Sequence, residues 1–191
     1  VDYKSSSHDL NYKDIYHGLA IQLMTYFKVI LHAMESRYGD RAKPGGAFYS
    51  HVHNSFLTIA KPLEERKLQE EKIKKHRLQG LFVTDEQLFD ALAERLNPGE
   101  YSLAFNMRRL KKGELGTFKQ VNPKDLRVIF DYIDYLIEKA GNEILQGKVD
   151  LRPYAEKDFI PSIKGPFRAV SQFDAMLPEN NYFFLPDKDI R

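Results

Sequence analysis

The sequence predicts a mixed α/β fold, and three patterns carry that prediction. Apolar residues recur at three- and four-residue spacing from about Tyr12 to Tyr38 and again from Leu126 to Ile144, the period of a helix with one core-facing side. Short runs rich in β-branched and aromatic residues fit strands at the N-terminus, at 47–53 and around Leu81-Phe82-Val83. Helical and strand patterns are mixed along the chain, with no internal repeat and no low-complexity tract.

Val1 to Lys4 reads as the end of a strand, closed by the turn-forming Ser5-Ser6-Ser7. The helix over 12–38 places Ile15, Leu19, Leu23, Phe27, Ile30 and Met34 on one face, widened by Ile21, Met24 and Leu31. It is expected to be nearly buried, with a narrow polar side of Thr25, Lys28 and His32. Gly39 and Pro44-Gly45-Gly46 stop it. Ala47 to His53 alternates as a strand. Lys61 to Gln79 holds seven basic and four acidic residues, and is either a solvated helix or an excursion that orders only on a partner. Thr84-Asp85-Glu86 opens a helix to about Leu96, and Asn97-Pro98-Gly99 turns the chain. Tyr101 to Leu110 is expected to be a strand, folded back at Lys111-Lys112-Gly113 onto Gly116-Thr117-Phe118 as a hairpin. Asn122-Pro123-Lys124-Asp125 combines a capping Asn with a first-turn Pro, and starts the second long helix, which ends near Gly147. Beyond Asp150 regular structure thins to a short helix around Phe167 to Phe173.

Composition narrows the classes of function. The 191 residues suit one domain with an appendage, and 29 Lys+Arg against 27 Asp+Glu leave a net charge too small to imply a nucleic-acid partner by itself. The absence of cysteine excludes disulfides, thiolate zinc sites and iron–sulfur clusters in this chain. No apolar run approaches the ~18 residues of a membrane span, so no membrane association is expected, and the lack of cysteine makes a reducing cytoplasm the easier fit. No glycine-rich loop is suited to cradle phosphates, so no ATP site is expected here. The chain lacks an initiator Met and a signal peptide and opens inside a strand, which reads as a piece of a longer protein.

Four residue groups could carry chemistry. Asp2 and Lys4 are two apart on a strand and share a face, where the carboxylate can hold a hard cation and the ammonium can orient water or neutralise a phosphate. The same spacing recurs at Glu65 and Lys67, where a charged helix explains it, so Asp-x-Lys alone also describes a solvated strand end. Gln22 and Tyr26 are four apart and stack on one helix face, at the edge of the apolar stripe. His51 and His53 share a strand face without an identifiable third ligand, which leaves hydrogen-bonded histidines as the better reading than a metal pair. Arg108, Arg109, Lys111, Lys112 and Lys119 against the single Glu114 make the expected hairpin the most basic local patch, either a phosphate-contacting surface or a solvated one.

A strand with Asp-x-Lys followed by a helix with Gln-x-x-x-Tyr resembles the RecB-like branch of the PD-(D/E)xK nucleases. The segments Tyr12 to Tyr26, Pro44 to Asn54 and Val170-Ser171-Gln172-Phe173-Asp174 resemble the B subunits of AddAB/RexAB helicase–nucleases, and the likeness covers most of the chain, loosely between Leu57 and Val121. The resemblance implies part of a restriction-endonuclease-like core over 1–150, with the added hairpin and C-terminal helices, and a C-terminal extension over 151–191. It implies Mg²⁺-dependent DNA exonuclease chemistry in double-strand-break processing for recombinational repair, 5′→3′ on one strand, with DNA and the A subunit as partners. Asp2 and the Tyr3 carbonyl take the metal-binding role, Lys4 the catalytic lysine, and Gln22 and Tyr26 positioning roles. The patch of Arg108, Arg109, Lys111 and Lys112 takes the DNA-binding role.

Two departures from the family pattern stand out. Ser162, Gly165 and Ser171 occupy positions that hold cluster-ligating cysteines in many relatives, so the chain resembles the cluster-free RexB type. Packing of Phe167, Val170 and Phe173 is expected to replace that staple. Further metal ligands are expected upstream of Asp2, so the isolated segment is expected to be inactive, with an open edge that could pair with another copy. The rival expectation is a DNA-binding or docking module that has lost its metal site.

Overall fold

Two faces of one small sheet are both covered by apolar side chains. The computed structural model describes residues 1–6, 8–52, 62, 64–116, 118–148, 152–155, 168–174, 176–177 and 181–185. They fall into two compact units, Val1–Asp134 and Tyr135–Arg191.

The first unit is built on β1 (Asp2–Lys4), β2 (Gly46–His51), β3 (Gln79–Val83) and β4 (Gln120–Val121), in that order across the sheet. β1 runs parallel to β2, β2 antiparallel to β3, and β3 parallel to β4. Side chains alternate across a strand, so Ala47, Tyr49, Leu81 and Val83 join one core with Leu23, Met24, Leu126, Phe130 and Ile133. Phe48 and Phe82 point the other way, to Met107, Phe105 and Phe118, with their rings 4.7 Å apart and steeply inclined. Gly80 lies opposite Phe48 in the ladder, and a Cβ there would sit 2.1 Å from the Ala47 carbonyl oxygen. The Phe48 ring occupies the space that this glycine leaves.

The segment expected to be one helix over 12–38 is two: α1 (Tyr12–Tyr16) and α2 (Gln22–Tyr38). Asn11 caps α1, its Oδ1 accepting from the Asp14 N–H at 2.7 Å. Gly18, at φ 74°, ends it: the Gly18 N–H donates to the Ile15 carbonyl and the Leu19 N–H to the Asp14 carbonyl. α2 is also less buried than expected. Leu23 and Met24 are in the core and Phe27 and Leu31 pack on it, but Val29, Ile30 and Met34 are exposed. Seventeen helical residues reach about 25 Å, further than the six-residue strand they pack on.

The charged stretch holds a solvated helix, α3 (Glu65–Lys75), with no buried residue and ion pairs between Arg66 and Glu70 and between Lys74 and Glu71. α4 (Glu86–Glu94) is capped by Asp85, which accepts from the Leu88 N–H at 2.9 Å. Tyr101 to Leu110 does not form the expected single strand. The Ser102 hydroxyl accepts from both the Ala104 and Phe105 N–H groups, and the chain doubles back so that Tyr101 bridges Arg108. The expected turn at 111–113 is present, closed by an Arg109–Leu115 bridge. α5 (Pro123–Leu145) starts under the Asn122 cap, as its sequence predicts, and crosses the boundary between the units.

In the second unit, β5 (Tyr154–Ala155) and β6 (Phe183–Phe184) pair in parallel, burying Ala155 and Leu185, and α6 (Arg168–Ser171) is a single turn. Phe173 packs on the Tyr182 ring at 4.8 Å. Val170 does not share in the expected packing, because it projects from that turn 82% exposed. Phe167, Ser162 and Gly165 lie outside the described residues, as does the Ser171 side chain.

Candidate active site

The β1 backbone turns Asp2 and Lys4 to one side and Tyr3, 70% exposed, to the other. The two same-side groups meet: Lys4 Nζ lies 3.0 Å from Asp2 Oδ2. The Gly18 stop lets α2 begin at Gln22, so the Gln22 side chain leaves the first turn of that helix within reach of β1. Lys4 Nζ donates to Gln22 Oε1 at 3.0 Å, and Gln22 Nε2 donates to the Tyr26 hydroxyl at 3.1 Å. Asp2, Lys4, Gln22 and Tyr26 therefore form one connected polar file. Its amide orientation follows from its neighbours, since an ammonium can only donate and a phenol can accept.

The electrostatics of this file are set by the Asp2–Lys4 pair. The hydrogen bond to Asp2, opposed by partial desolvation and helped by the carboxylate's charge, holds the Lys4 ammonium above the usual lysine range. Asp2 Oδ2 is itself buried, and the Lys4 ammonium 3.0 Å away is its partner among the described residues. With one partner, the carboxylate keeps lone pairs to spare, and these suit a hard cation, which binds through oxygen. No group of three metal-ligating side chains occurs among the described residues, so Asp2 offers one ligand rather than a complete set. The Lys4 carbonyl accepts from the Val52 N–H at 3.0 Å, on the side of β2, so the Tyr3 carbonyl one residue earlier points to the other edge of β1.

Tyr49, absent from the sequence expectations, adjoins the file. It is the ladder partner of Asp2, it is 4% exposed, and Lys4 Nζ sits 5.5 Å from the centre of its ring. Burial pushes its phenol above the usual tyrosine range. The alternation of Ala47, Tyr49 and His51 shows which face Tyr49 takes, but only the parallel β1–β2 pairing brings that face under Lys4. A cavity of about 490 Å³ opens beside the file, bounded by Asp2, Tyr26, Val29 and Ile30.

The other expected groups lie elsewhere. His51 is buried, with its Nε2 2.8 Å from the His8 backbone nitrogen, and His53 lies outside the described residues. In the basic loop, Arg109 Nε donates to the Gly113 carbonyl and its Nη1 to the Leu96 carbonyl, so this guanidinium holds the loop together. Arg108, Lys111 and Lys112 are exposed, and Arg108 and the largely buried Arg77 both lie over the Tyr101 ring.

A family model described as the PD-(D/E)XK nuclease superfamily matches residues 1–156. Among curated relatives, the B subunit of the ATP-dependent helicase/deoxyribonuclease of Oceanobacillus iheyensis is 32% identical over 182 residues. Its counterparts in Latilactobacillus sakei and Enterococcus faecalis are each 35% identical, over 192 and 188 residues respectively. Each alignment covers 95% of this chain and 16% of the relative, so the chain spans about one-sixth of the length of these curated relatives.

Proposed function

The chain belongs to the PD-(D/E)XK nuclease superfamily, and from that premise we propose that it is the nuclease segment of a helicase–nuclease B subunit, hydrolysing phosphodiester bonds in DNA. The observation that carries this reading is the position of Lys4 Nζ, held 3.0 Å from both the Asp2 carboxylate and the Gln22 amide oxygen. An ammonium has three N–H groups; two are engaged here, and the third is left for a phosphate oxygen or the attacking water. Because Asp2 keeps Lys4 protonated, its role is to neutralise charge developing on the phosphate, not to abstract a proton.

Asp2 and the edge-facing Tyr3 carbonyl are the groups of this chain that would hold Mg²⁺. Mg²⁺ is commonly held by one or two carboxylates together with water and substrate phosphate, so further ligands come from outside these residues. Bound there, the ion would supply Lewis-acid activation of water and phosphate. Gln22 and Tyr26 hold Lys4 in register with the helix. Exposed Arg108, Lys111 and Lys112 contact the DNA backbone, with Arg109 shaping the loop that presents them. The naming of the relatives as B subunits supports a further subunit as partner. In this reading the complex processes broken DNA ends, 5′→3′.

The test uses the whole protein that carries this segment, together with its partner subunit, on linear DNA with Mg²⁺. Cleavage is expected to vanish with EDTA, and to fall at least about 100-fold in Lys4→Ala, the scale of losing one preorganised donor to the transition state. Binding of DNA without any cleavage, or undiminished cleavage by Lys4→Ala, would replace this reading with a docking module.

A further inference from the structure

We infer that Tyr49 is a positioning residue for Lys4: its buried ring is the floor on which the ammonium rests while Asp2 and Gln22 hold it from the sides. The inference rests on the nuclease reading above and adds to it a side chain that donates nothing to the substrate. A lysine reaches its site on a flexible four-carbon stem, and the partners on its flanks are themselves partly exposed. Tyr49 is the rigid member of the group. It lies in the core with Ile15, Leu23 and Leu81, with the His8 ring tilted against it at 5.9 Å, and directly across the ladder from Asp2. The face of an aromatic ring is its negative side, and it attracts an ammonium 5.5 Å from its centre. A tyrosine phenol is neutral near pH 7, so the attraction comes from the ring and not from a phenolate. The hydroxyl is therefore dispensable and the π face is not.

Two sets of variants of the whole protein with its partner test this. Tyr49→Phe is expected to cleave DNA within about twofold of the parent. Tyr49→Met, similar in bulk but without a ring, is expected to lose about 3- to 30-fold in kcat with little change in KM. Replacing Tyr49 by phenylalanines of increasing fluorination keeps shape and packing while draining the negative face, and kcat is expected to fall stepwise. The rate of Lys4 acylation at one fixed pH, followed by mass spectrometry, reads the same contact without cleavage: loss of the ring should free the side chain and speed the reaction about 3- to 30-fold. That readout still decides the matter if the parent protein proves not to be a nuclease. A flat fluorination series, a Tyr49→Phe loss equal to that of Tyr49→Met, or an unchanged rate of Lys4 acylation would overturn the inference.

Discussion

Lys4 and Asp2 define each other's chemistry. The hydrogen bond from the ammonium to the carboxylate is the main reason that Lys4 stays protonated above the ordinary lysine value of 10.5. A folded-state value raised in this way gives a stabilising contribution that is fully present below 10.5 and is lost as pH rises through the higher folded value. Asp2→Asn removes the largest cause, so the alkaline limb of Lys4 titration is expected to move to lower pH. Lys4 acylation measured from about pH 8 to 12, a range that brackets the ordinary lysine value, would check this, and an unchanged midpoint would dissociate the pair. These contacts were half legible in the sequence. Spacing of two on a strand and four on a helix sets which side chains share a face, and so pairs Asp2 with Lys4 and Gln22 with Tyr26. The meeting of the two pairs, and the ring of Tyr49 beneath, depend on strand pairing and on where α2 begins, which local periodicity does not encode.

At the scale of elements, the break between α1 and α2 shows how a correct pattern gave a wrong boundary. The apolar stripe runs on from Ile15 to Leu23 because both helices face the same core, so its period hides the interruption. Gly18 was the available signal, a residue that costs about 1 kcal/mol inside a helix and little in the left-handed turn it adopts. Tyr101 to Leu110 misled in the same way: its pattern is strand-like, but the Ser102 hydroxyl offers the backbone a tight turn instead. Caps with explicit chemistry, at Asp85 and Asn122, were legible because one side chain and one N–H decide them. Two glycines separate close approach from mere occupancy. Gly80→Ala is expected to cost about 3 kcal/mol, since the new Cβ meets strand backbone at 2.1 Å. Gly141→Ala, in α5 with nothing within 4 Å, is expected to stabilise by about 0.5–1 kcal/mol. Denaturant unfolding of the two variants beside the parent would show the opposite signs, and equal effects would contradict the tight β2–β3 register.

Across the whole molecule, the near balance of charge conceals an uneven distribution. The exposed cations at 108, 111 and 112 sit on a loop with few acids, whereas the acids and bases of α3 pair along their own helix. If those three cations meet single-stranded DNA, replacing all three with Ala is expected to reduce the slope of log K against log salt by about 2, at roughly 0.7 per phosphate contact. Titrations of a labelled oligonucleotide in EDTA at several salt concentrations would measure it, and an unchanged slope would move the DNA path to another surface. Parallel pairing of β1 with β2 has a further consequence. Asp2, Lys4, Gln22, Tyr26 and Tyr49 all come from the first 49 residues, one strand–helix–strand crossover whose closure waits on nothing later in the chain. During synthesis the polar file can therefore assemble as soon as β2 clears the ribosome, while β3, β4 and α5 are still to be added as the support that makes it permanent.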